Sequence, residues 1–262
     1  MKKLRVIKIG GQIIDDHTNL QSFLESFSRL PDQKILVHGG GKIATSFLDR
    51  LRIKSELIDG RRITDSKTLE VVQMVYAGLI NKNIVACLQK YHCRALGLSG
   101  ADLDMIRAVK RQAGVIDYGF AGDVTGVNTL MIGTLLRLNI VPVFCSLSHD
   151  GQGQMLNTNA DTIATELAVA LSDSFAVDLI FCFEKSGVLQ DKGDDKTLIS
   201  TITPESYSQL RNQKAIDAGM IPKIDNAFSA LEKGVKNIYI THFLKLPAFT
   251  EENGARGTRV TR

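Results

Sequence analysis

Along the whole chain, short runs of β-branched and other apolar residues alternate with longer segments of helical periodicity. That order leaves few folds open. Leu4–Ile9 predicts a strand and Asn19–Arg29 a helix, then Lys34–Val37 a strand and Gly41–Leu51 a helix. Ser66–Tyr91 places Leu69, Val72, Val75, Leu79, Ile84 and Leu88 at helical intervals and predicts one long helical segment. Arg94–Leu98 and Asp104–Lys110 predict strands, and Thr129–Leu138 a helix feeding a strand at Ile140–Phe144. Asn159–Leu171 reads as a helix before the fully apolar strand Asp178–Phe183, and Ile221–Lys233 as a helix before Asn237–Thr241. Repeated β-then-α order argues for an α/β fold with a mostly parallel sheet and helices on both faces. Gly114–Thr125 breaks the alternation and reads as a hairpin excursion. Ser186–Thr197, with Asp191, Lys192, Asp194, Asp195 and Lys196, reads as a solvated loop. No stretch has the composition of a linker. Two lobes would share one continuous sheet, with a soft boundary near Ser172–Val177.

At 262 residues and 44% hydrophobic, the chain has ample material for such a core. The net charge of +4 is spread along the sequence, and only 6% of residues are aromatic. This disfavours a nucleic-acid surface and is compatible with a local site for an anionic ligand. Cys87, Cys93, Cys145 and Cys182 form no C-x-x-C pair and read as reduced, buried thiols of a cytoplasmic protein. No stretch reads as reaching the ~18 apolar residues that span a bilayer, and no signal peptide is expected at Met1–Arg5.

Two glycine turns, each after an apolar strand, carry the first functional signal: Lys8-Ile9-Gly10-Gly11 and His38-Gly39-Gly40-Gly41-Lys42. Glycine lets backbone amides approach an anion, and a helix starting behind the turn adds its positive end. Neither turn fits the P-loop or the dinucleotide fingerprint. Lys8 sits within an apolar strand. It is either an edge residue whose ammonium reaches water or a ligand-facing group at the carboxyl end of a central strand. His38 reads as holding its turn by a hydrogen bond, with a catalytic role as the alternative. Of Arg61 and Arg62, one suits a carboxylate by its bidentate fork, and spacing does not choose between them. Asn157-Thr158-Asn159-Ala160-Asp161 precedes a helix and offers more polar groups than one cap needs. Lys223, in the first turn of a helix, opposes the helix dipole and so suits an anionic ligand.

These residues, taken in order, resemble the amino acid kinase family: Lys8 with Gly10-Gly11, His38-Gly39-Gly40-Gly41, Gly60-Arg61-Arg62-Ile63-Thr64, Asn157 to Asp161, and Gly219-Met220-Ile221-Pro222-Lys223. The resemblance runs through Gly257-Thr258-Arg259-Val260, and within the family it is nearest the branch acting on N-acylated glutamate in arginine biosynthesis. It implies a three-layer αβα sandwich, with an acylglutamate-binding lobe at about residues 1–175 and a nucleotide-binding lobe at 176–262. It further implies transfer of the ATP γ-phosphoryl group, with Mg2+, to the side-chain carboxylate of N-acetyl-L-glutamate. Lys8 and Lys223 would stabilise the transferring group, and Asp161 would hold both lysines. Gly10 and Gly11 would bind phosphate, and Gly40, Gly41, Arg62 and Asn157 the substrate. Phe183–Asp191 and the region before Lys223 would bind ATP, while Lys42 falls back to a surface residue.

Two departures stand out. The family's lysine after Ser-Gly is missing from Leu98-Ser99-Gly100-Ala101-Asp102, which keeps N-succinyl-L-glutamate open as the substrate. The nucleotide loop, usually Thr-Asp or Ser-Asp, reads Phe183-Glu184-Lys185 here. The chain starts just before its first strand, so a homodimer without arginine control is expected. A sibling amino acid kinase and a non-catalytic ligand sensor remain as alternatives.

Overall fold

The computed structural model describes residues 1–58, 60–191, 194–212, 216, 220–250 and 256–262. Lys192, Gly193 and Gly219 lie outside the described residues. The fold is mixed α/β on a mostly parallel sheet, the class the alternation predicts.

The chain opens with β1 (Lys3–Ile9), α1 (Gly11–Asp15), α2 (His17–Ser28) and β2 (Gln33–His38), followed by α3 (Gly41–Arg50) and the short strands β3 (Leu57–Ile58) and β4 (Arg61–Arg62). Next come α4 (Ser66–Gln73), a π-helical turn (Met74–Ile80) and α5 (Asn81–Lys90), which run on as one helix. Then follow β5 (Ala95–Leu98), β6 (Ile106–Lys110), β7 (Gly122–Val127), α6 (Thr129–Arg137), β8 (Val141–Cys145), β9 (Leu147–His149), β10 (Met155–Asn157) and α7 (Ala160–Leu171). The last part holds β11 (Ala176–Phe183), β12 (Thr201–Ile202), α8 (Pro204–Asn212), α9 (Ile221–Glu232), β13 (Asn237–His242) and β14 (Thr258–Val260).

The chain divides into two compact units. One comprises Met1–Lys34 with Leu167–Arg262. In it β1 pairs parallel with β11 and β11 parallel with β13, while β14 runs antiparallel to β13. The interiors of β1 and β11 are buried almost without a break, as expected of parallel strands covered on both faces. The other unit, Ile35–Glu166, has the parallel set β2–β8–β5 and a four-stranded sheet in the order β10-β9-β6-β7.

The hairpin expected at Gly114–Thr125 is present: the segment holds the connection and most of the second strand of the antiparallel pair β6 and β7. Three sequence expectations are corrected here. In the stretch Ser186–Thr197, Val188 and Leu189 are buried, and of its described charged residues Asp191, Asp194, Asp195 and Lys196 are exposed. Leu79 is exposed and Ile80 takes the buried position, because the π turn's i→i+5 bonding carries the apolar stripe one residue further than α periodicity does. Finally, the helical stretch Ser66–Lys90 is long and apolar enough by length and composition to cross a membrane. Val72, Val75, Ile80, Ile84 and Leu88 are nonetheless buried within their unit, which is the packing of a core helix.

Candidate active site

In the Ile35–Glu166 unit, β2 ends at His38 and α3 starts at Gly41, so the three glycines span the gap between strand and helix. His38 is fully buried. Its Nδ1 lies 2.8 Å from the Gly39 carbonyl and its Nε2 accepts from Asn81 Nδ2 at 3.0 Å. Asn81 also donates to the Val143 carbonyl at 2.9 Å. A carbonyl can only accept, so the proton resides on Nδ1 and the ring is neutral. Burial drives its pKa down to about 4. His38 is thus the turn's anchor, as the sequence suggested.

Gly40 has φ +157°, and a Cβ there would stand 2.1 Å from Ile80 Cδ1 and 3.2 Å from the Tyr76 ring. The π turn presses both side chains against the glycine backbone. Next to it, a Cβ at Gly41 would meet nothing within 4 Å, which leaves the α3 N-terminus open. Gly39, Gly40 and Gly41 line a cavity together with Arg61, Arg62, Tyr76 and Asn157.

Arg62 settles the choice that spacing left open. It is buried, whereas Arg61 is half-buried. Its Nη2 donates to the Gly41 carbonyl at 2.9 Å and to Thr45 Oγ1 at 2.7 Å, and its Nη1 donates to Ser55 Oγ. The Nε is a buried donor with no hydrogen-bond partner. Asn157 Nδ2 donates to Thr64 Oγ1 at 3.0 Å, while Thr64 donates to the Arg62 carbonyl at 2.9 Å. Asn159 is the helix cap, its Oδ1 accepting from the amides of Asp161 and Thr162 at 2.8 and 3.2 Å. Asn157 and Asp161 are therefore not used as caps. Lys42 is exposed.

In the other unit, Lys8 is buried at the carboxyl end of β1, which disposes of the solvated-edge reading. Its ammonium lies 5.2 Å from the centroid of the Phe183 ring, and that of Lys223 lies 3.9 Å from the same centroid. Lys223 stands in the first turn of α9. Gly10 donates its amide to the Cys182 carbonyl at 3.0 Å, continuing the strand ladder, and Gly11 opens α1. A second pocket lies beside the ring, lined by Phe183, Glu184, Lys185, Val188, Leu189 and Met220 among others.

The family model for the amino acid kinase family matches residues 3–242. This chain belongs to the amino acid kinase family. It is 51% identical over 261 residues to a Cytophaga hutchinsonii protein named acetylglutamate kinase, covering 99% of each chain. It is 52% identical over 240 residues to one of the same name from Phocaeicola vulgatus, covering 92% of this chain and 93% of that one. A solved structure of a Streptococcus mutans UA159 protein superposes with a TM-score of 0.78 at 28% identity, covering 99% of this chain and 98% of that one.

The amino acid kinase motifs contain parts whose use is visible only in three dimensions. Thr258 is fully buried: its Oγ1 accepts from the Val188 amide at 2.8 Å and donates to the Ile199 carbonyl at 2.6 Å. The closing Gly257-Thr258 therefore pins the loop that lines the second pocket. Tyr76 and Thr45 were not singled out from the sequence. Tyr76 is one apolar-face residue among many there, and only the π turn places it at the cavity. The departure at Ala101-Asp102 is local. Asp102 accepts from the Ser99 amide and hydroxyl at 2.6 and 2.7 Å, and neither residue lines the cavity.

All four cysteines are free thiols, as expected; Cys93, Cys145 and Cys182 are buried, whereas Cys87 is only half-buried, because it lies toward the outer side of α5. Burial pushes Cys145 up to about 12 and raises Cys182 further, so neither is a nucleophile at neutral pH.

Proposed function

We propose that this amino acid kinase phosphorylates the side-chain carboxylate of N-acetyl-L-glutamate with ATP, in arginine biosynthesis. The observation that carries the reading is the buried Arg62 fork beside the glycine turn and the open Gly41 end of α3 in one cavity, a carboxylate-binding combination. The relatives named acetylglutamate kinase, matched over nearly the full chain, support the acetyl group.

In this reading Arg62 binds the α-carboxylate, its Nε gaining the acceptor it lacks. Asn157 fixes the substrate, and the amides of Gly40 and Gly41 face its oxygens. The pocket at Phe183–Leu189 takes the nucleotide, which enters with its magnesium. Gly11 supplies an amide to phosphate, and Gly10 serves by its lack of a side chain, since a Cβ would lie 3.3 Å from Phe183 Cδ1.

The attacking carboxylate is already ionised at neutral pH, so no general base is needed. The chemical difficulty is the approach of two anions, which positioning and cations relieve. One ammonium about 4 Å from a charged oxygen gains roughly 4 kcal/mol at an effective dielectric near 20. Lys8 and Lys223 fill this role, and Asp161 orients them by analogy with the family. We further propose a cytoplasmic homodimer, a reading that the free thiols are compatible with.

A coupled ADP-release assay, with hydroxylamine trapping of the acyl phosphate, tests this. The panel is N-acetylglutamate, N-succinylglutamate, free glutamate and aspartate. Turnover is expected with N-acetylglutamate. Turnover with free aspartate alone, or nucleotide binding without any turnover, overturns the reading.

A further inference from the structure

The position at which the family resemblance leads one to expect threonine or serine in the nucleotide loop is phenylalanine here, and its ring has a specific neighbourhood. Phe183 is the last residue of β11, paired with His242 on β13, so its backbone is held by the sheet. Two ammonium groups lie over its ring, Lys223 at 3.9 Å and Lys8 at 5.2 Å from the centroid. The ring edge also bounds Gly10, leaving 3.3 Å to where a Cβ would stand. One aromatic side chain thus touches both lysines and the first glycine turn.

We infer that Phe183 is a positioning residue for Lys8 and Lys223. The inference rests on the roles proposed above for these lysines. Two like charges brought to one site repel, and flexible four-carbon stems would let them part. The negative face of an aromatic ring attracts an ammonium within about 6 Å of its centroid without donating or accepting a proton. Phe183 therefore gathers two cations, which a hydroxyl of serine or threonine, with one small dipole, does less well. A rigid ring on a sheet strand also lowers the ordering cost when the phosphoryl group arrives. Lys8 and Lys223 have further partners of their own, and the ring acts in addition to these.

The test replaces Phe183 with phenylalanines carrying one, two and three ring fluorines, which weaken the ring's quadrupole at nearly constant shape. We expect kcat to fall stepwise while KM for the acylglutamate stays constant. Phe183→Leu should lose about tenfold in kcat, and Phe183→Tyr should recover most of it. A flat fluorine series with full activity overturns the inference. A second readout needs no turnover. In the wild type the ε-methylene protons of Lys8 and Lys223, assigned with Lys8→Met and Lys223→Met, should resonate upfield from ring current, and Phe183→Leu should return them to ordinary positions. Ordinary positions in the wild type also overturn it. If the wild type transfers no phosphate to any acylglutamate, the proposed function fails by itself and the resonances decide the role of Phe183.

Discussion

The Nε2 of His38 accepts a hydrogen bond of 3.0 Å from Asn81 Nδ2 inside the Ile35–Glu166 unit. It joins the end of the strand that leads into the glycine turn to the first residue after the π turn. The same π turn lays Tyr76 and Ile80 on Gly40. Strand end, turn and helix are thus tied together at the cavity's wall.

The burial of the His38 ring predicts a pH dependence of stability. His38 titrates at about 4 when folded against 6.5 for an ordinary histidine, because burial disfavours its charged form. Above pH 6.5 both states are neutral and the stability is full. As pH falls from 6.5 toward 4, the unfolded ring takes up a proton that the folded ring refuses, and on the order of 3 kcal/mol is lost. Urea unfolding at pH 7.5 and 4.5 should show this slope in the wild type and a smaller one in His38→Gln. Equal slopes would disprove the contribution.

Gly40→Ala should be poorly tolerated. The new methyl must displace the Ile80 tip and crowd the Tyr76 ring at a backbone angle of φ +157°. A loss of about 1–3 kcal/mol is expected, along with a raised KM for the acylglutamate. Gly41→Ala, with nothing within 4 Å of its Cβ, should lose little stability. Thermal melts of the two variants give the comparison.

Arg62→Lys keeps the charge but loses the fork that engages Ser55, Thr45 and the Gly41 carbonyl. KM for the acylglutamate should rise about tenfold or more, since two or more charge-assisted bonds are lost, while KM for ATP should hardly move. Arg61→Lys should leave both constants near the wild-type values. Steady-state kinetics with each substrate varied separates the two arginines.

Lys223→Ala and Lys8→Ala should each lower kcat by on the order of 10² or more, from the Coulomb term of one ammonium at the transferring group. A kcat for Lys223→Ala within twofold of the wild type would remove that residue from the mechanism.

Thr258→Val keeps shape but deletes a hydroxyl that makes two bonds, leaving the Val188 amide without its buried acceptor. A loss of about 1–3 kcal/mol and a raised KM for ATP are expected, with KM for the acylglutamate unchanged. Differential scanning calorimetry and kinetics check both.

Much of the site was legible because its signals are local. A strand followed by glycines and a helix is a statement about neighbours in the chain, so β1 with Gly10-Gly11 and β2 with Gly39-Gly40-Gly41 emerged directly. Leu79 was misplaced because helical periodicity presumes 3.6 residues per turn, and a π turn changes the count without a composition signal of its own. Arg61 and Arg62 could not be ranked, since adjacent residues of a strand point to opposite faces and only the packing says which face is inside. Thr258 was visible as part of the closing motif, but its two hydrogen bonds join it to Val188 and Ile199, far away in the chain.

By itself, then, the sequence determined the α/β class, the glycine turns and the ordered set of charged and amide residues that place the chain in its family. These follow from period, backbone freedom and charge, all carried within a few residues. Only the tertiary structure decided that Arg62 is the buried fork and that His38 is a neutral anchor. Only it put Lys8 and Lys223 over one ring, by pairing β1 with β11 so that Lys8 faces Phe181, two residues before Phe183. Such pairings join residues far apart in the chain. They are selected by burial and register across the whole sheet, and no short stretch of sequence contains that information.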